Sequence, residues 1–144
     1  MKKALLLSTL LLFSTSNLAM ADEFTVTVDG IEPQRGGTIN VLLFEKAGFP
    51  KRHQKAIYAV TKAVDNSSMT FEFDVDISEF AVKVWHDEDE NGVVTKNWTG
   101  VAPKEGLGFT NGQRITSNGQ PRYSRTKIST SQTEGHVNIP IAYP

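Results

Sequence analysis

Met69-Thr70-Phe71-Glu72-Phe73-Asp74-Val75-Asp76-Ile77 alternates apolar and polar residues without a break. Successive side chains of an extended chain point to opposite faces, so this stretch presents an apolar row to one side and a largely charged row to the other. It reads as a β-strand with one face on a core and one in water. Phe24, Val26 and Val28, alternating with Thr25, Thr27 and Asp29, repeat the pattern upstream. Val137, Ile139 and Ile141 repeat it near the C-terminus, where Pro140 predicts an edge strand or a strand end because proline offers no N–H to a ladder.

Two further runs are more deeply apolar. Thr38 to Phe44 (TINVLLF) and Phe80 to Trp85 (FAVKVW) are nearly continuous, which predicts central strands covered on both faces. Gln54 to Val64 carries both a helical spacing (Ala56, Ile57, Val60, Ala63, Val64) and a strand-like IYAVTKAV. It reads as a short irregular or helical passage into a strand. Tyr123 to Ile128 is a weaker strand candidate. Turn pairs such as Asp29-Gly30, Gly36-Gly37, Asn91-Gly92 and Glu134-Gly135 separate the runs.

Composition agrees. From Asp22 onward there are 12 Val, 8 Ile and 12 Thr but only 3 Leu and 7 Ala, a balance that favours pleated sheet over helix. About six or seven short strands with turns between them predict an all-β chain folded as a single antiparallel β-sandwich. Residues 97–121 fall outside the pattern. They lack periodicity, hold Gly100, Gly106, Gly108, Gly112 and Gly119, and read as one long Gly-rich loop. The loop's Trp98, Val101, Leu107, Phe109 and Ile115 are expected to pack it onto the sandwich.

Residues 1–21 read as a secretory leader. Lys2 and Lys3 form a charged start, Ala4 to Phe13 a short apolar core, and Ala19-Met20-Ala21 a cleavage site. The apolar core is shorter than the roughly 20 residues a membrane span requires. The expected organisation is a cleaved leader over 1–21 and one domain over 22–144, with no membrane span, in the periplasm or outside the cell. Removing the leader leaves 13 basic against 16 acidic residues, net −3, which gives no footprint for nucleic acid. The absence of Cys excludes disulfides, thiolate nucleophiles and zinc–thiolate sites.

The chemistry-bearing stretch is His86-Asp87-Glu88-Asp89-Glu90-Asn91-Gly92. Asp87, Asp89, Asn91 and Gly92 match the D-x-D-x-N-G opening of a calcium loop, in which alternate oxygens converge and glycine permits the bend. The Val93 carbonyl and the Thr95 hydroxyl would continue it. The twelfth position, where a bidentate Glu would close the site, is Trp98, so Glu105 from the long loop is the candidate for the missing oxygen. The expected metal ligands are therefore Asp87, Asp89, Asn91, Val93 and Glu105, and the expected ion is calcium. The competing reading is a solvated acidic turn, since Asp, Asn and Gly are turn residues in any case.

VKVWHDEDENG, followed by Pro103-Lys104-Glu105-Gly106-Leu107-Gly108-Phe109, resembles a bacterial family catalogued as "domain of unknown function" 2141. Further points of resemblance are the leader, Thr25 to Gly30, Val41 to Phe44 and Gly48-Phe49-Pro50. The resemblance spans nearly all of the mature chain. It implies an exported all-β sandwich, immunoglobulin-like or transthyretin-like, with no assigned activity. Two positions depart from the family pattern: Ile77-Ser78-Glu79 replaces a Pro/Gly turn, and Thr95 replaces an acidic residue that often follows N-G-x-x. The end, Ile141-Ala142-Tyr143-Pro144, lacks the tail of transthyretin-like hydrolases.

Two function classes follow. The favoured one is a non-catalytic binding or scaffold domain, expected to be a monomer, stabilised by calcium, and contacting a small-molecule, sugar or protein ligand through His86, Trp98, Lys104 and Phe109. The alternative is a hydrolase using His86 and the neighbouring carboxylates, although no nucleophile motif accompanies them. The leader makes the first testable statement: intact-mass measurement of protein recovered from the periplasm or medium should give a chain that begins at Asp22. A mass that retains residues 1–21 would contradict it.

Overall fold

The computed structural model describes residues 20–144. All but the last two residues of the leader expected over 1–21 lie outside that range, and the expected mature N-terminus, Asp22, is the first residue of β1. The strands are β1 (Asp22–Asp29), β2 (Thr38–Phe44), β3 (Tyr58–Ala63), β4 (Ser68–Val75), β5 (Glu79–Asp87), β6 (Leu107–Phe109), β7 (Ile128–Ser129) and β8 (His136–Pro140). Two sheets face each other. The smaller runs β4-β1-β8 and the larger β3-β2-β5-β6, with β7 also pairing to β5. Among the described residues no helix is long and apolar enough to cross a membrane.

The alternating strands lie as their sequence predicts. Phe24 pairs with Phe73, and Val26 with Phe71, so the apolar rows of β1 and β4 share the inner face. Phe24, Val26, Val28, Phe71, Val82 and Val84 are fully buried there, and Phe24 meets Phe80 edge to face across the sandwich at 4.9 Å. β8 is an edge strand, as Pro140 implies, but it runs parallel to β1, pairing Val28 with Ile139. The sandwich is thus mostly rather than wholly antiparallel. The chain crosses from β7 in one sheet to β8 in the other, and the left-handed pair Glu134-Gly135 turns it onto the free edge of β1.

The continuous runs have the two-sided cover they predict. Along β5, Phe80, Val82 and Val84 face the inner core. On the opposite face of the larger sheet, Trp85, Leu107 and Phe109 gather Phe49, Val94 and Ile115 into a second apolar cluster. Segments 45–57 and 88–122 supply that outer cover. Gln54 to Val64 resolves into a 3₁₀ turn at His53–Lys55 and then β3.

Two expectations need correction. The long loop is interrupted by β6, whose three residues are too few to show a period. A Cβ on Gly108 would stand 2.8 Å from Ile139 Cγ2 and from the Pro140 carbonyl, so only glycine lets β6 lie this close to the C-terminal strand. Upstream of β6, residues 95–104 fold back as an arm. Asn97 N–H donates to Ala102 O at 2.8 Å and Lys104 N–H to Thr95 O at 2.8 Å, which leaves Trp98 near the tip. Tyr123 to Ile128 is not a strand: Tyr123–Thr126 is one helical turn that feeds the two-residue β7.

β6 and β7 share one edge of β5, and the ladder breaks between them. The Thr110 hydroxyl fills the break, accepting from Val82 N–H at 3.1 Å and donating to Thr126 O at 2.6 Å. Thr110 is buried, and the Val82 N–H depends on it, while Thr126 O also accepts from Asn111 Nδ2 at 3.3 Å. Thr110→Val keeps the shape, leaves the Val82 N–H unpaired and leaves Thr126 O to Asn111 alone, which should destabilise the fold by about 1–3 kcal/mol in denaturant unfolding. A change within error of zero would show that water reaches the break.

Candidate metal centre

β5 delivers the acidic loop to one edge of the larger sheet. Its last residues, His86 and Asp87, are both buried. Gly37 makes this possible. It lies against the Asp87 carbonyl so closely that a Cβ there would stand 2.1 Å from the oxygen, and its φ of +73° suits glycine.

His86 is fully buried, and both ring nitrogens are engaged. Nε2 lies 2.6 Å from the Gly36 carbonyl, which makes it the donor and fixes the tautomer. Nδ1 therefore accepts from the Tyr143 hydroxyl at 2.7 Å, and that hydroxyl in turn accepts from Glu32 N–H at 3.1 Å. Burial pushes the Tyr143 pKa up, keeping it a donor. Arg35 stacks over the Tyr143 ring at 4.5 Å and bonds Glu32 and Glu88. His86 thus ties the C-terminus to the 30s segment and has no nitrogen free to face a ligand. Both nitrogens of the residue that the sequence offers for ligand contact or hydrolysis are therefore engaged by protein groups.

Past Asp87 the chain turns on its own carboxylates. Asp87 accepts from Asn91 N–H at 3.2 Å and from Gly92 N–H at 2.9 Å. Asp89 accepts from the Thr95 hydroxyl at 3.1 Å and from Asn91 Nδ2 at 3.0 Å. Loss of solvent pushes the Asp89 carboxyl up, but its hydrogen bonds from Thr95 and the Asn91 backbone outweigh this and hold it below the ordinary range.

Glu105 enters from across the loop and is 3% exposed. Its carboxylate takes three N–H donors: the Trp85 indole at 2.8 Å, Thr95 at 2.9 Å and Glu88 at 3.2 Å. Burial raises its pKa, an effect these donors only partly reverse. One carboxylate oxygen from each of Asp87, Asp89 and Glu105 lies within 4.8 Å of the others. A carboxylate has about four lone-pair sites, so each retains oxygen capacity beyond the N–H bonds.

Of the five expected metal ligands, then, three converge. Asn91 adjoins the cluster through its amide nitrogen, and its oxygen accepts from Val93 N–H at 2.9 Å. Coordination by Asn91 would require the amide to rotate. The Val93 side chain is largely exposed. The expected ligand-contacting residues separate. Trp98 is 96% exposed and anchors nothing, against the packing role expected for it. Lys104 is exposed, while Phe109 is buried in the outer cluster beside Phe49 and is not a surface contact.

Residues 26–138 match the family model described as an uncharacterized protein conserved in bacteria (DUF2141). The chain belongs to this family. Among curated proteins and solved structures none matches it. The matched span holds both loop motifs of the family resemblance, and their glycines have identifiable work. A Cβ on Gly106 would lie 2.5 Å from the Tyr143 ring, so the K-E-G-x-G-F segment is shaped to admit the C-terminal tail that follows β8 while it presents Glu105 inward.

One pair escapes the sequence reading. Lys83, inside FAVKVW, is buried on the outer face of β5. Its ammonium donates to the Pro50 carbonyl at 3.0 Å and to His53 Nε2 at 2.8 Å. The His53 ring lies 4.8 Å from that of Trp85. The available signal was a lysine in an apolar run too long to have a wet face. Burial lowers the Lys83 pKa to about 8. Burial and then the Lys83 charge push His53 down to about 4. A folded-state pKa below the ordinary value means the unfolded chain binds more protons, so stability rises with pH through that window. For His53 it should fall as pH drops from about 6.5 towards 4. Chemical denaturation at stepped pH should show this acid limb in the wild type and a flatter one in His53→Gln. Parallel limbs would mean that His53 does not titrate with unfolding.

Proposed function

We propose that this protein is an exported, non-catalytic β-sandwich domain that serves as a binding or scaffold module, and that its 87–95 loop with Glu105 holds a calcium ion. The observation that carries the metal reading is the convergence of Asp87, Asp89 and Glu105 to within 4.8 Å, because they come from two separated segments. Four consecutive acidic residues, Asp87 to Glu90, repel one another, and Arg35 pairs with only one of them, Glu88. A hard divalent cation with oxygen ligands would offset the remainder. Calcium suits this set better than magnesium, which demands a stricter octahedron. The leader at residues 1–21, with Ala19-Met20-Ala21 at its end, supports export to compartments where calcium is plentiful. The sealed position of His86 supports the non-catalytic reading.

The absent twelfth-position Glu implies weak binding, with Kd on the order of 10⁻⁴–10⁻³ M as in extracellular modules. At tenfold its Kd, calcium would add RT ln 11, about 1.4 kcal/mol. For a domain of this size the melting temperature should rise by about 3–6 °C. Thermal scans in millimolar calcium, in magnesium and in chelator should show the rise with calcium, less with magnesium, and none in Asp87→Asn/Asp89→Asn. Superimposed wild-type curves in calcium and chelator would remove the metal. If the double variant were then more stable than wild type, the cluster would be an uncompensated acidic turn.

A further inference from the structure

On the outer face of the larger sheet, behind the acidic loop, lies a cleft of about 590 Å³. Its volume falls within the range of small-molecule sites. Lys83 is at its floor, and Lys51 and Lys96 stand on its walls. No Asp or Glu lines it. The remaining wall is largely aliphatic, with Val94, Val101, Leu107 and Ile115.

Lys83 makes the cleft unusual. Its flanking partners across the ladders are Leu42 and Phe109, and Trp85 follows it along the same face. It is 4% exposed, yet no carboxylate pairs with it among the described residues. Its two hydrogen-bond partners, Pro50 O and His53 Nε2, are neutral acceptors, which leaves one ammonium N–H beyond them. Buried charges are ordinarily paired, because desolvating an isolated ion is costly. Here the counter-charge is missing, and the group that lacks it faces an open, acid-free cleft.

We propose that this cleft binds a small organic carboxylate with an apolar body, its head group seated on Lys83. The carboxylate supplies the counter-ion that the fold withholds. Lys51 and Lys96 raise the local anion concentration at the mouth, and the aliphatic wall receives the body. A single free N–H at the floor suits one carboxylate oxygen better than the three oxygens of a phosphate. The site is separate from the carboxylate cluster and does not depend on the calcium reading.

Amide NMR titrations of the purified protein with 2-naphthoate, 2-naphthamide and 2-naphthyl phosphate, each in calcium and in chelator, test this. Naphthoate should bind at least about tenfold more tightly than the amide, with shifts confined to β5 and the segments that line the cleft, residues 50–55, 92–107 and 115–120. Lys83→Met should abolish that preference. Lys51→Gln/Lys96→Gln alters only exposed side chains; it should weaken naphthoate several-fold and flatten the salt dependence, so the test survives if Lys83→Met fails to fold. Equal binding of naphthoate and amide, binding of neither, or shifts elsewhere would overturn the proposal. Tighter binding of the phosphate would overturn the choice of head group. Binding in chelator as strong as in calcium, with no effect of calcium on melting, would sink the metal and leave the cleft standing.

Discussion

The Glu105 carboxylate is the point at which the outer half of this domain is fastened. It takes the Trp85 indole from β5, the Glu88 amide from the near side of the acidic loop and the Thr95 amide from its far side. Hydrogen bonds to a charged acceptor each contribute about 1.5–3 kcal/mol, and removing the acceptor would strand the buried donors. Three segments that have no sheet pairing in common are thereby held by one side chain. Glu105 can occupy this place because Gly106 and Gly108, on either side of Leu107, let the chain run against Ile139 and Tyr143 without a clash. Both ends of the acidic loop, and with Thr95 the start of the arm beside the cleft, are tied to Trp85 through that carboxylate.

Covering β5 on both faces has a chemical consequence. A strand with a wet face can send its polar residues to water, but this one cannot. Lys83, His86 and Asp87 are all buried, and each must find partners inside the protein. Asp87 turns to backbone amides of its own loop, and His86 to Gly36 and Tyr143. Both are thus matched in the sense that their hydrogen bonds are complete. Lys83 has its hydrogen bonds without its counter-charge, and this difference separates a group that serves the fold from one that is poised toward a cleft.

Much of the fold was legible because it rests on short periods. The alternation in Phe24–Val28 and Met69–Val75 identifies strands and the face each buries, and a slip of one residue would have exposed every phenylalanine among them. The runs at 38–44 and 80–85 announced two-sided cover. What could not be read was whatever depends on partners far away in sequence. β6 is three residues long, its role decided by β5 and by the C-terminal strand. The parallel seating of β8 depends on which edge of β1 stands free. At the site, the spacing of Asp87, Asp89 and Asn91 exposed a turn rich in oxygens, and the missing closing ligand directed attention to Glu105. Spacing could not say that Asn91 turns its nitrogen to the cluster, or that Trp98 projects into solvent. His86 looked chemical beside its acids, and only the fold reveals that Gly36 and Tyr143 consume it.

The acidic cluster and the lysine cleft are two sides of one piece of backbone. Asp87, Asp89 and Glu105 draw in the amides of Asn91, Gly92 and Thr95, while Gly92, Val93, Val94 and Lys96 form part of the wall over Lys83. The segment separates charge, with Asp87 and Asp89 turned to the Glu105 cluster, Lys96 on the cleft, and Val94 packed on the Trp85 cluster. Such an arrangement keeps the lysines from being neutralised by the nearest acids, which would otherwise occupy the place of an incoming anion. It also makes order on one side order on the other. Were a cation at the 87–95 turn to strengthen binding in the cleft, reciprocity would require an occupant of the cleft to strengthen cation binding by the same free energy.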